Sequence, residues 1–248
     1  MLKNYLKKHF PMILIFKWIR KKMITIYRNE QKIYPNIDFI LEPEDKIILP
    51  KTIDTRPKKI DDRFIHYIDK SILFQNEDFL ILNKPTNLAS QGGNKNIYSL
   101  ADYYDYKNYY LIHRLDKPTS GSLIVGKTLE YSRYLHNLFK EKKINKTYIC
   151  AFKGNLKSQT INNIHGHSIF NVIEPGIAKV NIITGKKHQI RKHLADNKCY
   201  IWGDNLYTDD KNKYTYFMLH SWKISWESWS FISPLPKYWC KFIDQSKL

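Results

Sequence analysis

The chain has 248 residues, 43% of them hydrophobic, and a formal net charge of +18 at pH 7. This is enough for one large domain, or for one domain plus a small module, and no run of about 18 apolar residues exists that could span a membrane. So large a positive charge favours a polyanionic partner, most simply nucleic acid.

Residues 1–22, MLKNYLKKHFPMILIFKWIRKK, carry six Lys, one Arg and no acidic residue, a net of +7. Leu14, Ile15, Trp18 and Ile19 recur at helical spacing, and Pro11 separates a short first helix from this second one. MITIYRNEQKIY then reads as two short strands about a polar turn, and ILEPEDKIILP as a strand over Lys46–Leu49 closed by Pro50. Two helices and a small sheet make a module over 1–50. A cleavable organelle presequence is the competing reading of so basic a start, but the helix runs into strand patterning with no cleavage-like break. Residues 51–70 are polar and charged and read as a linker wrapping onto a second domain, 71–248.

In that domain SILFQNEDFLILNKP reads as strand–turn–strand and TNLASQGGNKNIYSLADYY as a loop. LIHRLDKPTSG follows, between the apolar segments YYLI and SLIVG. LEYSRYLHNLFKEKK places Tyr131, Leu135 and Leu138 on one helical face, and KTYICAFKG is a strand. AKVNIITGKKHQIRKHLADN reads as a strand, a Gly turn and a helix carrying His188, Arg191 and Leu194; YFMLHSWKISW is a late strand. Strands and helices mixed without regular alternation predict an α+β fold on a mainly antiparallel sheet.

Only 7 of the 41 basic residues are Arg. Lys replaces Arg easily as a point charge but not where a planar fork is needed, so the remaining arginines are informative. Arg114 and Arg191 both stand inside candidate motifs. Cys150, Cys199 and Cys240 are far apart and odd in number, which predicts a reducing compartment and no disulfide framework. The His and Cys spacing predicts no metal.

In HRLD, His113–Asp116, a carboxylate shares a short motif with a guanidinium, which favours its ionised form. An ionised Asp in a cleft can serve as nucleophile or base. The plainer alternative is an Asp that caps the turn DKPTSG. What shifts the balance is the order of the pieces that follow: KTYICAFKG, with Tyr148 32 positions on, then TGKKHQIRKHL, GDNLY and FMLHS.

With those pieces the chain resembles the RluA-type pseudouridine synthases, and within them the rRNA-modifying branch with an N-terminal S4-type RNA-binding domain. The family signature His-Arg-Leu-Asp, two variable residues, Thr-Ser-Gly stands at His113–Asp116 and Thr119–Gly121. A second signature stands at Thr184–Arg191, and LNKPTNLASQGG and GDNLY resemble further blocks. The resemblance implies a catalytic Asp116, an active-site Tyr148, and Arg191 paired with Asp116 as a bidentate fork. It implies that Arg114 enters the base stack where the target uridine was, since the family flips a uridine out of structured RNA. The RNA-facing set is Arg114, His113, Lys84 and His188, with Lys17 and Arg20 on the N-terminal module. His188 and Gln189 are expected to order their loop. The reaction is an isomerisation, so no cofactor is expected. The resemblance also implies that a hairpin between Tyr148 and Thr184 is trimmed.

Residues 137–200 add eleven Lys and one Arg against three acids, a net of +9. With the N-terminal +7 this gives two basic zones that can grip one RNA together. The expected protein is a monomeric bacterial cytoplasmic enzyme acting on large-subunit ribosomal RNA. A catalytically silent RNA-binding or ribosome-assembly factor, and a tRNA-modifying member of the same family, are the alternatives.

Overall fold

The computed structural model of the chain describes residues 1–10, 12–50, 60–92, 98–208 and 216–244, with the side chains of residues 12–14 and of Lys17 outside this set. Two units form, Met1–Pro57 and Lys58–Leu248, and each is described by itself.

In the first unit, α1 (Leu2–Leu6) and α2 (Met12–Arg20) precede three short strands, β1 (Thr25–Arg28), β2 (Gln31–Ile33) and β3 (Lys46–Ile48), in the order β2-β1-β3. The apolar stripes of the helices and β1 meet in a small core of Leu2, Leu6, Ile15, Trp18, Ile24 and Ile26. Such a core is small for a free-standing domain, and a polar clamp supplements it. Arg28 donates from Nε and Nη2 to both oxygens of Asp45 at 2.7 Å, and from Nη2 to Ile40 O at 2.9 Å. The Arg28 hydrogen bonds hold the Asp45 carboxyl down at about 2.

The second unit opens with α3 (Asp62–Asp69), so the stretch read as a linker is partly helical; residues 51–59 lie outside the described set. Asp61 caps α3 by accepting from Arg63 N at 2.8 Å. β4 (Ile72–Gln75), β5 (Phe79–Lys84), α4 (Leu100–Lys107), β6 (Tyr110–Leu111), β7 (Ser120–Gly126), α5 (Leu129–Lys140) and β8 (Asn145–Lys153) follow. Helix α4 begins inside the stretch expected to be loop and runs three residues past its end. It is set by a Ser99–Asp102 capping box and closed by Asn108 in the left-handed conformation. Its weakly amphipathic sequence, LADYYDYK, hides it from a periodicity reading.

β9 (Gln159–Asn163), β10 (Gly166–Glu174) and β11 (Ile177–Ile182) form an antiparallel meander between Tyr148 and Thr184. Then come α6 (Gln189–Asp196), β12 (Tyr200–Ile201), β13 (Leu219–Trp226), β14 (Trp229–Ile232) and a final 3-10 helix, Lys237–Lys241. The sheet runs β4-β5-β7-β13-β8-β11-β10-β9, and among these neighbours only β7 and β13 pair in parallel. The fold is therefore α+β on a mainly antiparallel sheet.

Strand periodicity assigns the two faces. Leu80, Leu82, Leu123 and Val125 enter the core that also holds Leu194, Met218 and Trp239. Phe79, Ile81 and Ile124 enter the other, under Leu135 and Leu138 of α5. All seven residues of β7 are buried, as a central strand covered on both sides requires. No described helix is long and apolar enough to cross a membrane.

Candidate active site

The site begins with register. Lys84, Gly121, Ser221, Tyr148 and Val180 are successive partners across five adjacent strands, β5, β7, β13, β8 and β11. This row sets Tyr148 two strands from the start of β7, where the turn carrying Asp116 enters. The approach is close enough to demand glycine at 121: its φ is 106°, and a Cβ would meet Ser221 O at 2.2 Å.

The turn at Asp116 is held by its main chain. Ser90 Oγ donates to Leu115 O at 2.8 Å, Thr119 N to Asp116 O at 3.1 Å, Lys84 Nζ to Lys117 O at 3.1 Å, and Thr86 Oγ1 to Pro118 O at 2.7 Å. Three of these four donors come from one segment, Lys84–Ser90. The family-like block NKPTNLAS is thus a clamp on the turn.

Lys84, expected to face RNA, is fully buried. Its Nζ also donates to Pro85 O at 2.9 Å and Leu88 O at 2.8 Å, so all three ammonium hydrogens are used. Burial lowers its pKa to about 7, against the charge of Asp116. Lys84→Met should therefore strip three carbonyls, one buried and two partly buried, of a donor and cost about 2–4 kcal/mol. The unfolded chain holds the Lys84 proton up to the free-lysine range, whereas the folded one releases it near pH 7. Stability from this group thus rises from about pH 7 upward. Denaturant titrations at several pH values should show that slope in the wild type and its absence in Lys84→Met.

His113 is also set inward. Its Nε2 accepts from Ile124 N at 2.9 Å and its ring lies 4.7 Å from that of Phe139. Burial, with Lys146 and His136 nearby, lowers its pKa to about 3, so it is neutral and serves to tie the motif to β7 instead of meeting phosphate. Arg114 points the other way. It is exposed, lines the cleft, and donates to Gln91 Oε1 at 3.2 Å. Arg20 is exposed in the first unit, and the side chain of Lys17 lies outside the described residues.

The Asp116 side chain is 22% exposed, with Arg191 Nη1 at 3.7 Å from Oδ2 and His188 Nε2 at 3.6 Å from Oδ1. The fork of Arg191 goes elsewhere. Nε and Nη2 donate to Asp204 Oδ2 and Oδ1 at 2.7 and 2.8 Å, which corrects the expected bidentate pair with Asp116. The reason is burial: Asp204 is 1% exposed and needs both donors, whereas Asp116 keeps a wet face. Burial opposes the Arg191 charge, but the Asp204 hydrogen bonds and the charges of Asp204 and Asp116 outweigh it and raise its pKa. The guanidinium also lies over the rings of Tyr207 and Phe217, at 4.9 and 5.3 Å. Sequence reasoning gives Asp204 and Tyr207 of the GDNLY block no role; the signal available is a lone Asp in a short polar block beyond the helix.

His188 precedes α6 instead of lying on it, in the left-handed conformation at φ 56°. Its Nδ1 lies 2.9 Å from Tyr207 Oη. Burial, Arg191 and Lys187 lower its pKa although Asp116 opposes them, so the ring beside the carboxylate is neutral at neutral pH. Gln189 orders the loop as expected. It accepts from Thr184 Oγ1 and Lys186 N at 2.8 and 3.0 Å and donates to His167 O and Ser168 Oγ at 2.9 and 2.8 Å. Tyr148 is buried and its pKa is raised, first by burial, against a hydrogen bond with Ser221 and with the charge of Asp116 adding. Arg114, Asp116, Tyr148, Lys186, His188 and Arg191 all line one open cleft with a cavity volume of about 80 Å³.

A sequence model of the RNA pseudouridylate synthase family matches residues 78–196, which span the clamp, the turn, Tyr148 and α6. A Helicobacter pylori protein named as an uncharacterized RNA pseudouridine synthase is 30% identical over 191 residues, covering 67% of this chain and 75% of that one. The chain belongs to the RNA pseudouridine synthase family. As a member it is an isomerase that makes pseudouridine. The ribosomal large subunit pseudouridine synthase C of Rickettsia bellii is 29% identical over 256 residues, covering 85% of this synthase and 83% of the relative. The fold is shared with human RNA pseudouridylate synthase domain containing 4, at a TM-score of 0.59 and 18% identity over 72% of this synthase and 94% of that chain.

Proposed function

We propose that this synthase isomerises specific uridines of large-subunit ribosomal RNA, as a monomer in the bacterial cytoplasm, with Asp116 as the acting carboxylate. The observation that carries the role of Asp116 is its setting. It is partly exposed in the cleft, flanked by Arg191 and His188 at 3.6–3.7 Å, and its carboxylate is not what holds its own turn. A uridine flipped from structured RNA would lie between Asp116 and Tyr148, and Arg114 would fill the gap in the stack. The bond from ribose C1′ to N1 is exchanged for one to C5, the C5 proton leaves, and N1 gains one. Atoms and electrons balance without a cofactor. Arg191 sets a positive charge beside the Asp116 carboxylate, its Nη1 at 3.7 Å from Oδ2, and Tyr148 stacks on the uracil near the carbon that loses its proton.

The large-subunit substrate is supported by the relatives named for it and by the two basic zones. Pseudouridine mapped across ribosomal and transfer RNA, with and without the protein, tests it. Sites lost from large-subunit RNA are the expected result. Loss only from tRNA would move the substrate, and no loss with RNA binding retained would favour the silent factor.

The first unit would grip phosphates outside the cleft. Lys7, Lys8, Lys21 and Lys22 are exposed there. Replacing all four with Gln should flatten the slope of log affinity against log salt by about 0.9 for each duplex phosphate no longer neutralised. Filter binding over a salt series measures it, and an unchanged slope would place the grip elsewhere.

A further inference from the structure

Ile164 and Leu206, 82% and 62% exposed, are the most exposed large apolar side chains among the described residues of the second unit, and hydrogen bonds tie the segment of each to residues that line the cleft. Ile164 is at the tip of the β9–β10 hairpin, where the cleft-lining Lys186 donates its Nζ to Ile164 O at 3.0 Å. Leu206 N donates to Asp204 Oδ1 at 2.9 Å, and its neighbour Tyr207 bonds the cleft-lining His188.

Single exposed apolar side chains are common and need no explanation. A tip fastened on several sides, yet holding its isoleucine in water beside lysines, does need one. Asn163 Oδ1 accepts from His165 N at 2.8 Å and lies 3.0 Å from His193 Nε2, and His167 N donates to Thr184 Oγ1 at 2.9 Å. Gly166 takes φ 123°, and a Cβ there would meet Thr184 Oγ1 at 2.4 Å and Gln189 Oε1 at 2.5 Å. The hairpin is therefore locked to the Thr184–Gln189 segment that lines the cleft. Lys186 and Lys187 stand beside it. The nearby acid, Asp196, is turned to Asn163 Nδ2 and His165 at 3.3 and 3.7 Å.

We propose that Ile164, with Leu206, contacts the nucleobases flanking the flipped uridine, and that this rim helps to choose the target. Extruding one base unstacks its neighbours, and an aliphatic wedge covers the apolar faces so exposed. Lys186 spends one hydrogen on Ile164 O and keeps two for a phosphate. The inference rests on the functional reading above.

The test uses the full chain and the RNA whose target uridine the wild type modifies. Benzoylphenylalanine at position 164 of the Asp116→Asn protein should crosslink on irradiation to nucleotides within about three of the target. The same probe at position 232, on β14, should not. Ile164→Ala should raise KM about tenfold, the loss expected for one aliphatic side chain left unburied in the complex, with the thermal midpoint unchanged. Ile164→Leu should restore most of it. Crosslinks absent or scattered as at position 232, or wild-type kinetics in Ile164→Ala, would overturn the inference while leaving the enzyme assignment standing. A wild type that forms no pseudouridine in any RNA would sink the functional reading, and this inference with it.

Discussion

Asp116→Asn should abolish pseudouridine formation while the protein still folds and still binds RNA. Asn keeps the size of the side chain and removes only its charge. The turn does not depend on that charge, because its carbonyls at 115–118 are held by Ser90, Thr119, Lys84 and Thr86. Nor does Arg191, whose fork stays on Asp204. The thermal midpoint should therefore move by no more than a few degrees, and the dissociation constant for the RNA by less than about threefold. Turnover should fall by about 10⁴-fold or more, the scale seen when a group that makes or breaks bonds is removed. Single-turnover assays with labelled uridine, beside calorimetry on the same preparation, decide it. Comparable turnover in the Asn protein would remove Asp116 from the chemistry. A protein that failed to fold would revive the capping role.

The sequence made the order of pieces legible because each piece carried its own local chemistry. The apolar runs FLILNK and SGSLIVG could only be buried strands, and LEYSRYLHNLFK has a face that fits a helix. Helix α4 was not legible, since LADYYDYK has little amphipathicity; its evidence lay in Ser99 and Asp102, three residues apart. The β9–β10 hairpin was hidden because β9 is exposed along most of its length and the turn uses Gly166 after the tip.

Residue roles divided along the same line. The scarcity of arginine pointed to forks, and three of the described arginines make them, Arg28 on Asp45, Arg63 on Asp61 and Arg191 on Asp204, whereas Arg114 makes a single bond to Gln91. Which carboxylate each fork takes is a matter of burial in three dimensions, and spacing along the chain holds no information about it. Lys84 fails as an RNA contact for the same reason. A lysine at a strand end reads as exposed until the strand proves central and the segment after it folds back over the turn.

Asp204→Asn tests that pairing. Asp204 is nearly fully buried, takes both fork hydrogen bonds of Arg191, and accepts from Leu206 N at 2.9 Å and Tyr207 N at 3.3 Å. An amide can accept one of the fork hydrogens but turns its own N–H groups toward the other, and it leaves the buried guanidinium without its counter-charge. Removing one partner of a buried pair is costly because the other charge stays buried, so a loss of about 2–4 kcal/mol is expected. For a chain of this size that lowers the midpoint by roughly 5–15 °C. Turnover at a temperature where the variant is folded should fall more than about tenfold, because Arg191 Nη1 would no longer be fixed beside Asp116. A double-mutant cycle separates this from general loosening. In an Arg191→Lys background the fork is already gone, so Asp204→Asn should cost little further turnover if it acts through Arg191. Effects that multiply would show Asp204 acting by another route, through Tyr207 and the His188 that faces the same carboxylate. A wild-type midpoint and turnover in Asp204→Asn itself would remove the pair from any part in holding the site.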